Sequence, residues 1–134
     1  MNVRILPGDT ISTVLEHVKK AINDSTITVT IHKGFFDTDP SPLSNTNSFG
    51  FNTIRKTTRE IFGDTIVAPG LVLGATDSRH FAGICDNIFR FVPYKLGKND
   101  TDRIHGIDER IAIKDYLNMI QFYAKLIKNS DAAK

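Results

Sequence analysis

The sequence predicts an α/β fold, because helix-like and strand-like stretches alternate along its 134 residues. Apolar side chains recur with the period of a helix in three stretches. A fourth stretch, TITVTIH, alternates apolar and polar residues as a half-buried strand does. Hydrophobic residues make up 40% and charged residues 24% of the chain, which is the usage of a globular protein that buries a core.

The first 33 residues are predicted to form a strand-helix-strand unit. VRIL is a short strand, Asp9 is the expected N-cap of the helix, and Asn23 and Asp24 end the helix. One face of this helix carries Ile11, Val14, Leu15, Val18 and Ile22. TITVTIH is the second strand, and the stretch FFDTDPSPLSNTNS then has the composition of a long connection. We therefore predict two domains, residues 1–33 and 34–134.

Residues 34–134 are predicted to continue the alternation. A helix capped by Asn47 or Ser48 ends at Gly63. TIVAPGLVLGA is interpreted as two short strands around a Pro-Gly turn, and NIFRFVPY as a third strand. Asp108 is expected to cap the longest helix. Its predicted core face holds Ile113, Tyr116, Leu117, Ile120, Tyr123, Ala124 and Ile127.

Charge and composition argue against several partners and locations. The net charge is +2, and the nearest basic cluster, Arg55, Lys56 and Arg59, has no aromatic residue within it, so we expect neither a nucleic-acid nor a membrane partner. No stretch has the roughly 18 consecutive apolar residues of a membrane span. The start, MNVRILPGDT, has no secretory apolar region, so the compartment is left open with the cytoplasm as the default. The single cysteine, Cys85, excludes an internal disulfide.

The stretch GATDSRHF, which follows an apolar run, is the main candidate for a ligand-binding loop, since ligands of open α/β sheets bind where strands end. Arg79 leads because its planar guanidinium pairs bidentately with a carboxylate or phosphate. Thr76 can donate a hydrogen bond to an anion, and Gly74 would let a ligand approach the backbone. Two alternatives stay open: Asp77 and Arg79 pair locally and stiffen the loop, and His80 is a packed side chain rather than a ligand or an acid–base group.

RIHGIDERI holds the second candidate. Asp108 and Glu109 suit the positive end of a helix dipole, which explains them structurally. His105 lies in the preceding polar loop and has no such explanation. A catalytic zinc usually takes three protein ligands, yet the chain has no HExxH, CxxC or HxD pattern, and His17 and His32 are expected at the surface. His105 is therefore a plausible metal ligand without visible partners.

Four segments, LVLGATDSRHF, FRFVPY, RIHGIDERI and MIQFYAKLI, occur here in one order. Together they resemble the C-terminal portion of the zinc metallopeptidases related to carboxypeptidase S. Acetylornithine deacetylase, succinyl-diaminopimelate desuccinylase and aminoacylase are more distant relatives. NVRILPGDTISTVLEHVKKAI followed by TITVTI resembles the second half of the lid domain of these enzymes. The resemblance implies that a strand-helix-strand piece of a dimerisation-type lid, residues 1–33, precedes part of an α/β catalytic domain, residues 34–134.

The resemblance also implies a role for each matching residue. His105 matches a histidine that binds one of two zinc ions. Arg79, with Gly74, Thr76 and Asp77, matches the segment that holds the substrate carboxylate. These enzymes hydrolyse an amide bond next to a free carboxylate in peptides or N-acyl amino acids, with a glutamate as general base. That base and the other metal ligands belong to a first half absent from this sequence, so no catalytic residue is assigned here.

Two classes of function follow. In the first, the chain is the C-terminal fragment of a two-zinc hydrolase, inactive alone and completed by the missing N-terminal half. In the second, it is a non-catalytic α/β module that binds a partner, associates with itself, or holds a small carboxylate through Arg79 and His80.

Overall fold

The computed structural model describes residues 1–32, 34, 37–98 and 100–131. The helices are α1 (Ile11–Ile22), α2 (Phe49–Phe62) and α3 (Ile113–Asp131), with short 3₁₀ helices at Asp77–Phe81 and Thr101–Arg103. The chain divides into two compact units: unit 1 is Met1–Leu43 with Leu73–Asp86, and unit 2 is Ser44–Val72 with Asn87–Lys134. None of the helices in the described part of the chain is both long and apolar enough to cross a membrane.

Helix α1 is capped by Thr10 rather than by Asp9, so the predicted N-cap is wrong by one residue. Thr10 Oγ1 accepts a hydrogen bond from the Thr13 N–H at 3.2 Å, and Thr13 Oγ1 accepts one from the Thr10 N–H at 2.9 Å. This reciprocal pair satisfies two backbone donors that the helix leaves open, which favours Thr10. The helix ends at Asn23 as predicted, because this residue adopts the left-handed conformation (φ 48°) and its N–H donates to the Lys19 carbonyl.

Unit 1 has little core of its own. None of its described residues is buried. The predicted apolar face of α1 is half-buried at Ile11, Val14, Leu15 and Val18, and Ile22 is 38% exposed. A buried core residue normally touches 6–12 others. Unit 1 therefore leaves much of its apolar surface in contact with solvent.

Unit 2 contains the core, which lies between α2 and α3. Phe122 on α3 is fully buried, and its ring centroid lies 6.4 Å from that of Phe62 and 5.3 Å from that of Phe91. On α2, Thr57 is also fully buried, and its hydroxyl donates back to the Thr53 carbonyl at 2.8 Å. That bond satisfies the hydroxyl, so the inner face of α2 tolerates a polar side chain in an apolar setting.

A polar contact joins the ends of these two helices. Asn129 Nδ2 donates to Thr57 Oγ1 at 2.9 Å and to Glu60 Oε2 at 2.8 Å. Lys125 Nζ lies 3.6 Å from the same Glu60 oxygen. The Asn129 hydrogen bond, with a smaller contribution from the charge of Lys125, holds the pKa of Glu60 below its ordinary value. The contact therefore favours the ionised carboxylate.

The bounds predicted for α2 are confirmed, and the start predicted for α3 is wrong. Ser48 Oγ accepts from the Phe51 N–H at 3.3 Å, and Gly63 ends α2. Helix α3 begins at Ile113, and the first bond of its ladder runs from the Tyr116 N–H to the Ala112 carbonyl. Asp108, the expected cap, makes no hydrogen bond to the residues that the structure describes. Because Asp108 accepts no backbone N–H bond from the described residues, a helix starting there would leave its first donors unsatisfied, and α3 starts four residues later than predicted.

The core face predicted for α3 is also wrong. Exposure along it is 81% at Ile113, 55% at Tyr116, 53% at Leu117, 52% at Ile120, 40% at Tyr123 and 69% at Ile127, and Ala124 is exposed too. Helix α3 instead turns Phe122, Lys125 and Asn129 toward α2. Helix α3 thus has two faces that can pack. Helix α2 covers the face of Phe122, and the face predicted from the periodicity is exposed.

The α/β class and the domain boundary stay predictions. No β-strand occurs among the described residues, and the segments predicted as strands are not helical. A strand needs a neighbour to pair with, and no described segment pairs with another as a strand. Lys33, where the first predicted domain ends, lies outside the described residues.

Candidate functional site

The stretch GATDSRHF folds as a bend at Gly74 followed by the 3₁₀ helix Asp77–Phe81. Thr76 is its N-cap: Thr76 Oγ1 accepts from the Ser78 N–H at 3.3 Å and lies 2.6 Å from Ser78 Oγ. The Arg79 N–H donates to the Thr76 carbonyl at 3.3 Å. Threonine suits this position because its hydroxyl reaches the open donors of the first turn. The cap therefore fixes the backbone that carries Arg79.

The side chain of Arg79 is half-buried and contacts its neighbour in the sequence. Arg79 Nε donates to His80 Nε2 at 3.3 Å. Asp77 is exposed, and its carboxylate makes no ion pair or hydrogen bond with the residues that the structure describes. One partner of Arg79 is thus the imidazole of His80, and the structure does not show the alternative of an Asp77–Arg79 pair.

The structure brings four sequence-predicted residues, Gly74, Thr76, Asp77 and Arg79, into one short loop of unit 1. It adds His80, which the sequence left as a packed side chain, a ligand or an acid–base group. His80 is exposed and accepts a hydrogen bond. Adjacent arginine and histidine residues were the only signal available in the sequence.

His105 lies in unit 2, in the turn that follows the 3₁₀ helix Thr101–Arg103. Its φ is +60°, a left-handed conformation that is uncommon outside glycine. Asn23, the other described non-glycine residue with positive φ, caps α1, and His105 directly follows the C-cap of the 3₁₀ helix Thr101–Arg103. Holding a non-glycine residue in the left-handed conformation costs of order 1 kcal/mol of conformational free energy, and such residues cluster at functional sites. The His105 side chain is exposed and makes no hydrogen bond to the described residues.

A cleft with a volume of about 200 Å³ adjoins this turn within unit 2. Its wall includes Ile104, directly before His105, and Glu109, four residues after it. Other charged residues in the wall are Lys95, Asp100, Arg110 and Asp115. Because both signs of charge are present, the cleft does not select a strongly charged ligand of one sign.

The described part of the chain offers His105 as a candidate zinc ligand without a complete set around it. Among the residues that the structure describes, no three histidine, cysteine, aspartate or glutamate side chains come together to hold a metal ion. His17 and His32 are exposed, as predicted, and belong to unit 1. A catalytic zinc takes about three protein ligands. An accessible imidazole fits one of those positions, so a zinc site that includes His105 draws its other ligands from beyond the described residues.

Comparison with known proteins places these motifs in a family. Residues 5–129 match the model of peptidase family M20/M25/M40. The chain is 39% identical over 131 residues to "Probable carboxypeptidase S-like 2" of Dictyostelium discoideum, and 40% identical over 132 residues to "N-fatty-acyl-amino acid synthase/hydrolase PM20D1" of Xenopus tropicalis. The human protein of the latter name is 34% identical over 134 residues.

These alignments cover 98% of the chain and 25–26% of each relative, so the chain spans about a quarter of the length of the curated relatives it matches. No solved structure matches the chain. The family match includes both the Arg79 loop and the His105 turn, and it confirms the resemblance to peptidases related to carboxypeptidase S. The chain belongs to peptidase family M20/M25/M40.

Proposed function

We propose that the chain is the C-terminal part of a metal-dependent hydrolase that cleaves an amide bond next to a free carboxylate. The observation that carries this proposal is the family match over residues 5–129, which includes both candidate motifs. The names of the relatives, carboxypeptidase and N-fatty-acyl-amino acid synthase/hydrolase, describe substrates with a free carboxylate. Peptides and N-acyl amino acids are therefore the substrate class.

Arg79 binds the substrate carboxylate in this proposal. Its guanidinium offers five N–H donors in a planar fork that matches a carboxylate, and such charge-assisted pairs are stronger than neutral hydrogen bonds. The Thr76 cap fixes its backbone, and the side chain is half-buried, which reduces screening by water. Thr76 shapes the turn as its N-cap, and Gly74 and Asp77 belong to the same carboxylate-binding segment in this proposal. Binding the carboxylate at a fixed point would orient the adjacent scissile amide bond for attack.

His105 supplies one imidazole ligand to a two-zinc centre. Its exposed ring, which makes no hydrogen bond to the described residues, supports a role outside local packing. When bound, zinc would polarise the scissile carbonyl and lower the pKa of a bound water. The general base and the other ligands come from the rest of the protein, and we therefore propose that the isolated chain is inactive.

The exposed stripe of α3 is the surface on which that remainder packs. Ile113, Leu117, Ile120 and Ile127 are each more than half exposed, which is unusual for an aligned set of large apolar residues. The curated relatives are about four times the matched length, so they have chain that could cover this face. The same stripe would serve a partner-binding module, and the activity assay separates the two functions.

The test uses the full-length protein with an N-acyl amino acid and its carboxamide analogue, which lacks the negative charge. We expect hydrolysis of the first to be preferred by at least about tenfold in kcat/KM, since charge-assisted hydrogen bonds contribute roughly 1.5–3 kcal/mol. Arg79→Lys should remove most of this preference because lysine cannot pair bidentately. Equal hydrolysis of both substrates by the unmodified protein would overturn the proposal.

The zinc assignment has its own readout. His105→Ala in the full-length protein should lower the bound zinc, measured by elemental analysis, and His17→Ala should not. Unchanged zinc content in the His105 variant would contradict the role given to His105. Hydrolysis by the isolated chain in the presence of zinc would contradict the proposed inactivity.

A further inference from the structure

We infer that His80 is a positioning residue, which orients the Arg79 guanidinium for the substrate carboxylate. The inference rests on the proposed function, because it assigns a purpose to a contact within the same loop. Arg79 Nε donates to His80 Nε2 at 3.3 Å, between residues that are adjacent in the sequence. His80 is exposed, so filling a core does not account for it.

The bond selects one edge of the guanidinium. A carboxylate can pair bidentately with the two terminal NH₂ groups, or with Nε–H and one NH₂ group. His80 Nε2 accepts a hydrogen bond from Arg79 Nε–H, so a carboxylate that pairs with Nε–H and one NH₂ group would have to break the Arg79–His80 bond. Pairing through the two terminal NH₂ groups leaves that bond intact. His80 therefore favours end-on recognition of a carboxylate.

The hydrogen bond to His80 also reduces the conformational entropy that the Arg79 side chain loses when a substrate binds. An arginine side chain has four rotatable bonds, and ordering it opposes the association. The Thr76 cap fixes the backbone of Arg79, and His80 restrains the far end of the same side chain. The bond uses the lone pair of Nε2, so it forms with the imidazole tautomer whose proton is on Nδ1. Arg79 is thus held at both ends before the substrate arrives.

The experiment compares acceptor and non-acceptor residues at position 80 of the full-length protein. His80→Gln keeps an acceptor at about the reach of Nε2, whereas His80→Leu and His80→Phe remove it. For the N-acyl amino acid, we expect the Leu and Phe variants to raise KM about 5- to 10-fold with kcat within about twofold, as loss of one hydrogen bond predicts. The Gln variant should stay within about threefold of the original KM. For the carboxamide analogue, all three should leave KM unchanged.

An Arg79→Lys background supplies the matched control. Lysine has no Nε–H, so His80→Leu should add no further increase in KM there. The inference is overturned if the Gln and Leu variants raise KM equally, if kcat falls instead of KM rising, or if the effect of His80→Leu persists in the Arg79→Lys background. A protein that does not prefer the carboxylate substrate at all overturns the proposed function and this inference together. A protein with that preference but an unchanged KM in the Leu and Phe variants overturns only the inference.

Discussion

Alanine at Phe122 and alanine at Ile120 should affect the stability of the isolated chain very differently. The two residues are neighbours on α3, so the gain in helix propensity on substitution is similar at both sites. Phe122 is fully buried between Phe62 and Phe91, whereas Ile120, which the periodicity assigned to the core, is 52% exposed. The pair therefore tests which face of α3 packs against α2.

The expected sizes follow from burial. Removal of a fully buried phenylalanine costs about 3–5 kcal/mol, which includes the lost ring contacts. Full burial of an isoleucine contributes roughly 1.5–3 kcal/mol, so a half-exposed one contributes about 1 kcal/mol, and the better helix propensity of alanine offsets several tenths of this. We expect Phe122→Ala to cost at least about 3 kcal/mol and Ile120→Ala less than about 1 kcal/mol.

Urea unfolding followed by far-ultraviolet circular dichroism measures both free energies of unfolding. Phe49→Ala is the matched control, because this phenylalanine lies at the start of α2 and is 55% exposed. Phe49→Ala should lower the free energy of unfolding by about as much as Ile120→Ala does. If Ile120→Ala costs as much as Phe122→Ala, the helix presents the face that the sequence predicted, and the packing described for α2 and α3 is wrong.

Three further predictions concern the ends of the helices, the His105 turn and the exposed stripe. Asn129→Ala should raise the pKa of Glu60, measured by NMR titration. Folding lowers the pKa of Glu60, so the ionised carboxylate stabilises the fold at pH values above its unfolded pKa. This stabilisation is lost as the pH falls through the folded pKa. Glu60→Gln should remove this acid sensitivity of the free energy of unfolding. His105→Gly should stabilise the isolated chain by up to about 1 kcal/mol in thermal melts, whereas His105→Ala should not, because only glycine relieves a positive φ without strain. With Cys85 replaced by serine, Ile120→Cys should react with a maleimide at least about tenfold faster in the isolated chain than in the full-length protein, and equal rates would show that nothing covers this stripe.

Local signals in the sequence were sufficient for the first two helices and for the loops that carry the site. Helix α1 ends at Asn23, and α2 is capped by Ser48, one of the two predicted caps, and by Gly63, because caps act through hydrogen bonds between residues three or four positions apart. The cap of α1 was misplaced by one residue, since Asp9 and Thr10 are both good caps and only Thr13 decides between them. The motif around Arg79 and that around His105 could be found in the same way, because each is a short run of residues.

Tertiary structure decided which surfaces are buried and which side chains meet. Helix α3 has apolar residues around much of its circumference, and periodicity alone did not show that Phe122, rather than Ile120, would meet α2. Likewise, the sequence did not show which residue Arg79 would contact, and the structure shows that Arg79 Nε donates to His80 Nε2. The strands stay predictions for the same reason, since a strand exists only with a neighbour to pair with. A hydrogen bond within one turn depends on the residues of that turn, whereas burial depends on whichever other segments of chain are present to exclude water.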